Sequence, residues 1–169
     1  NEKLVAERYV SSKDKDMLID IIGRVDYESN KLGGEAKTKP PTIKKKRGKD
    51  EYYMTTTQLP LSPDPMHISQ LSFYYHCTNR KPFLFYVNEN EYRIFDDTHD
   101  MLRPDYLKEQ YNLMAQRLKS WEELIIFCKG DIQKLSSFAE PPELNHPFYY
   151  RDLIDDQKKQ IKQLWGLDT

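Results

Sequence analysis

The sequence predicts an α+β domain: a small antiparallel sheet with a central hairpin at about 82–96, packed against a long helix at about 104–128 and a C-terminal helix. Three observations carry this. The composition is aromatic-heavy, with 12 Tyr and 7 Phe in 169 residues, which suits pleated, half-buried surfaces better than a plain helix bundle. The stretch "KPFLFYVNENEYRIF" alternates about a polar centre as a hairpin does. Beyond it, Leu107, Tyr111, Met114, Leu118, Trp121, Ile125 and Cys128 recur at alternating steps of four and three, the spacing of one helical face.

Taken in order, residues 2–25 read as a helical segment, with Leu18, Ile19 and Ile22 supplying an apolar face and Gly23 ending it. From about 28 to 50 the composition changes. Residues 31–50 hold eight Lys/Arg against Glu35 and Asp50, a net +6 inside a chain of net −1. With Gly33, Gly34, Pro40 and Pro41 and few apolar side chains, this stretch reads as a disordered basic insert that cannot offset its ordering entropy. The chain is thus expected to form one domain over 1–169, with the insert separating the N-terminal segment from an α+β core at 51–167.

Within that core, "EYYMTTTQLPLS" is strand-like until Pro60 stops it, and "SPDPM" is a turn. "HISQLSFYYHC" is β-prone, though its alternation is imperfect enough to admit a bulge or a helical first half. In the hairpin, placing Glu89 and Asn90 at the tip pairs Val87 with Tyr92 and Phe85 with Ile94. Its other face, Leu84, Tyr86, Arg93 and Phe95, is too apolar for open water, so both faces are covered or one docks a partner. Pro104 suits the first position of the long helix. Asp131 can cap a short helix that Pro141-Pro142 break, and a last helix is expected from near Pro147 to Leu164.

Function classes are bounded mainly by what is missing. Cys77 and Cys128 have no pairing pattern and read as reduced thiols of an intracellular protein. No run of 18 apolar residues occurs, so no membrane partner is expected. The chain opens on Asn1 rather than Met and reads as a piece of a larger protein. His67, His76, His99 and His146 lack metal-ligand spacing, and there is no phosphate-binding glycine loop. No metal or cofactor is therefore expected, and no residue is assigned as catalytic.

The nearest thing to a catalytic cluster is the turn Asp96, Asp97, His99 and Asp100. It offers carboxylates beside an imidazole and, with Cys77, the makings of a Cys77–His99–Asp97 arrangement. Those residue types are also ordinary turn and capping residues. The basic run Lys44, Lys45, Lys46, Arg47 and Lys49 has the form of a nuclear-import signal or of an auxiliary, weak and non-specific DNA or RNA contact. Together these features favour a non-catalytic protein-interaction or scaffolding domain of a nuclear, chromatin-associated protein, with a cytoplasmic location as the alternative. Another protein would be its partner, and Tyr74, Tyr86, Tyr149, Tyr150 and Trp165 its candidate contacts. The alternatives are a nucleic-acid-binding domain and an enzyme built on the 96–100 turn.

Overall fold

A computed structural model of the chain describes residues 5–12, 17–140 and 153–167. The fold is α+β, as the composition predicts, but the sheet is larger and mixed. Strands β1 (Val5–Ser12), β2 (Ile21–Glu28), β3 (Leu32–Thr38), β6 (Lys81–Val87) and β7 (Tyr92–Asp96) lie side by side in the order β1-β2-β3-β6-β7. All neighbours are antiparallel except β3 and β6, which run parallel from Leu32↔Lys81 to Thr38↔Val87. A separate two-stranded ribbon, β4 (Thr42–Lys45) with β5 (Tyr52–Thr55), follows β3.

Two expectations are overturned here. The N-terminal segment is a β-hairpin rather than helical, and most of the supposed insert is ordered. Residues 32–38 form the sheet's central strand, and the glycines that suggested disorder are what let the backbones approach there. A Cβ on Gly34 would lie 2.3 Å from the Phe83 carbonyl oxygen and 2.6 Å from its ring. Local composition favoured coil, and pairing on both edges overrode it.

Parallel neighbours require a crossover, and the one here is helix α1 (Pro65–Thr78). This is the stretch whose alternation suggested a strand. Asp64 caps it by accepting the Met66 N–H at 2.9 Å, Pro65 opens it, and Asn79 closes it in the left-handed region at φ 50°. Ile68, Leu71, Ser72, Phe73 and Tyr74 are all buried. Consecutive buried positions leave no single apolar stripe, so the helical period is hidden in the sequence.

The second hairpin has the register its sequence predicts, Val87↔Tyr92 and Phe85↔Ile94. Leu84 and Tyr86 face the core and are fully buried, whereas Tyr92 and Ile94 are exposed. A 3₁₀ turn (Asp100–Leu102) leads into α2 (Pro104–Phe127), whose first half places Leu107, Tyr111 and Ala115 in the same core.

The chain divides into two compact units, residues 1–117 and 118–169. In the second, Leu118, Trp121 and Ile125 of the periodic face are exposed. There α3 (Ile132–Ser136) sets Phe138 edge-on to Phe127. Helix α4 (Asp155–Leu164) leads to Trp165, whose indole N–H donates to the Ala139 carbonyl at 3.3 Å. The expected start of this last helix near Pro147 lies outside the described residues.

Adjacent glycines of β3 give a test of the close approach. Gly34→Ala is expected to cost about 2–3 kcal/mol through overpacking against β6. Gly33→Ala, whose Cβ would sit 3.4 Å from the Thr78 hydroxyl, is expected to change stability by under about 1 kcal/mol. Urea denaturation of the two variants measures both.

Candidate active site

The ladder between β2 and β3 pairs Glu28 with Gly33 and Tyr27 with Gly34 and ends there, next to Asp26 on β2 and Glu35 on β3. There the Ala36 N–H donates to the Asp26 carboxylate at 3.0 Å. Glu35 and Lys37, two residues apart on a strand, share a face, and the Lys37 ammonium donates to one Glu35 oxygen. The other oxygen, Oε2, is buried and has no hydrogen-bond partner among the described residues.

Helix α1 supplies the far wall. Gln70 and Tyr74 are four apart, hence on one helical face. The Gln70 side-chain carbonyl accepts from Lys37 at 3.0 Å, its amide donates to the Tyr74 hydroxyl at 2.6 Å, and that hydroxyl donates to the Arg24 carbonyl of β2 at 2.5 Å. A chain of four hydrogen bonds thus runs from Glu35 through Lys37, Gln70 and Tyr74 back to the strand beside it. Asp26, Glu35, Lys37, Gln70 and Tyr74 line one open cleft of about 600 Å³.

The electrostatics are those of a site held away from its ease. Burial pushes the Glu35 carboxyl above its ordinary value, Lys37 opposes this, and the neighbouring Asp26 carboxylate adds to the rise. Burial likewise pushes the Tyr74 hydroxyl up to about 12, so it stays a protonated donor. His67, near Lys37 and Lys39 and bonded to the Tyr86 hydroxyl at 2.7 Å, is held below its usual pKa by burial and by those two lysines, against Asp64.

The residues singled out from sequence fall elsewhere or in other roles. Tyr74 and Tyr86 are buried rather than surface contacts: the first belongs to this cleft, and the second's hydroxyl also accepts the Asp64 N–H at 3.0 Å. Trp165 is half-buried against its own unit, and Tyr149 and Tyr150 lie outside the described residues. In the 96–100 turn, Asp96 accepts from the Thr98 N–H and hydroxyl, and Asp97 pairs with Lys81 at 2.8 Å. His99 Nδ1 caps the 3₁₀ turn by accepting the Met101 N–H at 3.2 Å. Asp100 is nearly fully exposed. Burial raises the Cys77 thiol pKa, which lowers its reactivity.

Lys44 and Lys45 lie on β4, and Lys46, Arg47 and Lys49 in the turn beyond it.

Sequence reasoning missed Asp26, Glu35, Lys37 and Gln70. Glu-x-Lys on a short strand and Gln-x₃-Tyr on a helix each mark one face. Each spacing is hidden, because the first lies in a stretch that reads as coil and the second in one that reads as strand.

Among the described residues no group of three or more His, Cys, Asp or Glu side chains is placed to hold a metal ion, and no helix is long and apolar enough to cross a membrane. Compared with family models, curated proteins and solved structures, the chain matches none.

The raised pKa of Glu35 has a defined sign. Its ionised form is less favourable folded than unfolded, a destabilisation absent below the ordinary value of 4.5 and growing as pH rises past it. Glu35→Gln should therefore melt higher than wild type at pH 7.5, with the advantage vanishing near pH 4. A lower melting temperature at pH 7.5 would mean that the Lys37 pairing outweighs burial.

Proposed function

We propose that this cleft is the active site of a divalent-cation-dependent phosphodiester hydrolase acting on nucleic acid, a nuclease. The observation that carries the reading is Glu35: a buried carboxylate with one oxygen unpartnered among the described residues, lining a cleft with a second carboxylate and a lysine. Leaving such an oxygen unsatisfied costs stability, and a bound cation relieves it. Mg²⁺ and Mn²⁺ suit a pair of carboxylates because they keep several waters and take remaining ligands from substrate phosphates. Asp26 and Glu35 would hold the ion, which would polarise the phosphoryl group and lower the pKa of a bound water.

The chain's own residues supply the rest. Lys37 sits where its ammonium can orient the attacking water and offset the charge that builds on the phosphoryl oxygens. Gln70 fixes Lys37, and Tyr74 fixes Gln70 against β2, so the ammonium is positioned before substrate arrives. Attack by water forms one P–O bond as the ester P–O bond breaks; the attacking water gives up a proton to solvent and the leaving alkoxide takes one from it. An open cleft and the basic stretch that follows Lys37 favour a polymeric phosphodiester over a small one.

A second reading draws on a different observation. Trp121, Ile125, Ile126, Phe127 and Phe138 are each about half exposed or more, which supports a protein-interaction role for the second unit. The run from Lys44 to Arg47 would then serve as an import signal, which a fluorescent-protein fusion carrying residues 38–55 tests by its distribution in cells.

The test of the hydrolase is cleavage of labelled duplex and single-stranded DNA with Mg²⁺ or Mn²⁺. Wild type is expected to cut and to be silenced by EDTA. Asp26→Ala, Glu35→Gln and Lys37→Met should each lose at least about 100-fold in rate. Cleavage that survives all three substitutions would belong to another site or a contaminant.

A further inference from the structure

The β4–β5 ribbon is the feature that the cleft does not absorb. A two-stranded ribbon is marginal alone, yet this one projects with every residue of β4 exposed. Pairs directly opposite share a face, so Ile43, Met54, Lys45 and Tyr52 line one side and Thr42, Thr55, Lys44 and Tyr53 the other. Ile43, Met54 and Tyr52 are each about two-thirds exposed. Neither face is turned to the protein, and both carry a tyrosine opposite a lysine.

The turn concentrates charge. Lys45 pairs with Asp50 and Lys46 with Glu51, exposed pairs of little strength. Lys44, Arg47 and Lys49 make no ion pair among the described residues. Gly48, at φ 77°, lets the turn close with its cations outward.

The root, in contrast, is fixed. The Lys39 N–H donates to the Val87 carbonyl at 2.8 Å, and the Thr57 hydroxyl donates to the Pro40 carbonyl at 2.8 Å. Asn88 and Asn90 of the β6–β7 turn bond the Thr57 carbonyl and the Thr56 hydroxyl. Only four residues separate Lys37 from β4. From root to tip the ribbon spans about 20 Å at 3.3 Å per residue, roughly six base-pair steps.

We propose that this ribbon is a substrate arm that lies in the major groove of duplex DNA and grips the phosphates on either side, holding the duplex against the cleft. The proposal rests on the nuclease reading for the purpose of the grip, though not for the grip itself. A ribbon with contact residues on both faces fits an object that touches both at once. The major groove of B-DNA admits a two-stranded ribbon, whereas that of an RNA duplex is too narrow and a single strand covers one face only. The contacts are to phosphates, so the grip is independent of sequence.

The experiment is anisotropy of fluorescein-labelled 20-mers, with the full chain in EDTA so that nothing is cut, at about 50 and 200 mM salt. Wild type should bind DNA duplex more tightly than RNA duplex or single-stranded DNA. The triple variant Lys44→Ser, Arg47→Ser, Lys49→Ser should bind DNA duplex about 10-fold or more weakly, with the log–log salt slope reduced by about 2–3. The variant's melting temperature and its Mn²⁺-dependent hydrolysis of bis(p-nitrophenyl) phosphate should both match wild type, because Lys44, Arg47 and Lys49 do not line the cleft. Unchanged duplex affinity in the triple variant, or tighter binding of single strands than of duplex by wild type, would overturn the arm. Absence of hydrolysis by wild type, with arm-dependent duplex binding intact, would overturn the nuclease reading alone.

Discussion

A carboxylate buried on the central strand of a sheet, with only one of its two oxygens engaged, is the constraint around which this molecule is arranged. The contrast with Glu28 makes the point. That side chain is equally buried, but Arg8 donates to it at 3.0 Å and Arg80 at 3.1 Å, so its charge is answered from both sides. Glu35 has one lysine, and a second carboxylate stands beside it. A fold that satisfies one buried glutamate twice and leaves the other half-satisfied has left room for something. Glu35 lines the cleft with Asp26 and Lys37, and its Oε2 is buried with no hydrogen-bond partner among the described residues.

The topology serves this placement. Because β3 and β6 run parallel, the chain must leave the sheet and return, and the returning element is α1. Its polar residues Gln70 and Tyr74 are thereby set against the end of the β2–β3 ladder, where backbone pairing gives way to side-chain contacts. Burial of Phe73, Leu71 and Ile68 anchors the helix, so the hydrogen-bond chain through Gln70 inherits the rigidity of the core. Gly34 admits β6 closely, and Glu35 beside it on β3 is buried. Packing, backbone approach and chemistry meet in one strand of seven residues.

How much of this is legible in the sequence depends on the range of the interactions involved. The β6–β7 register is set by a short turn and local alternation, and it is legible to the residue. The start of α2 is legible in Pro104 and the steps of four and three after it. Strands β1 to β3 are not, because charged and glycine-rich residues become strand only through partners distant in the chain. Helix α1 is obscured because it is buried on several sides. The site combines those difficulties: Glu35 with Lys37 and Gln70 with Tyr74 each carry a one-face spacing, but their meaning depends on β3 and α1 facing each other. The basic run stands out by its charge while its order stays hidden, since its cations stand on a ribbon rooted by Asn88 and Asn90.

The most direct test of the central claim is a titration of the ¹⁵N-labelled chain with substoichiometric Mn²⁺, followed by amide NMR. A cation held by Asp26 and Glu35 should broaden first the amides near those residues on β2 and β3 and those around Gln70 on α1, and Glu35→Gln should abolish that pattern. Broadening centred instead on the acidic turn at 96–100, or spread evenly over the exposed carboxylates, would contradict the account.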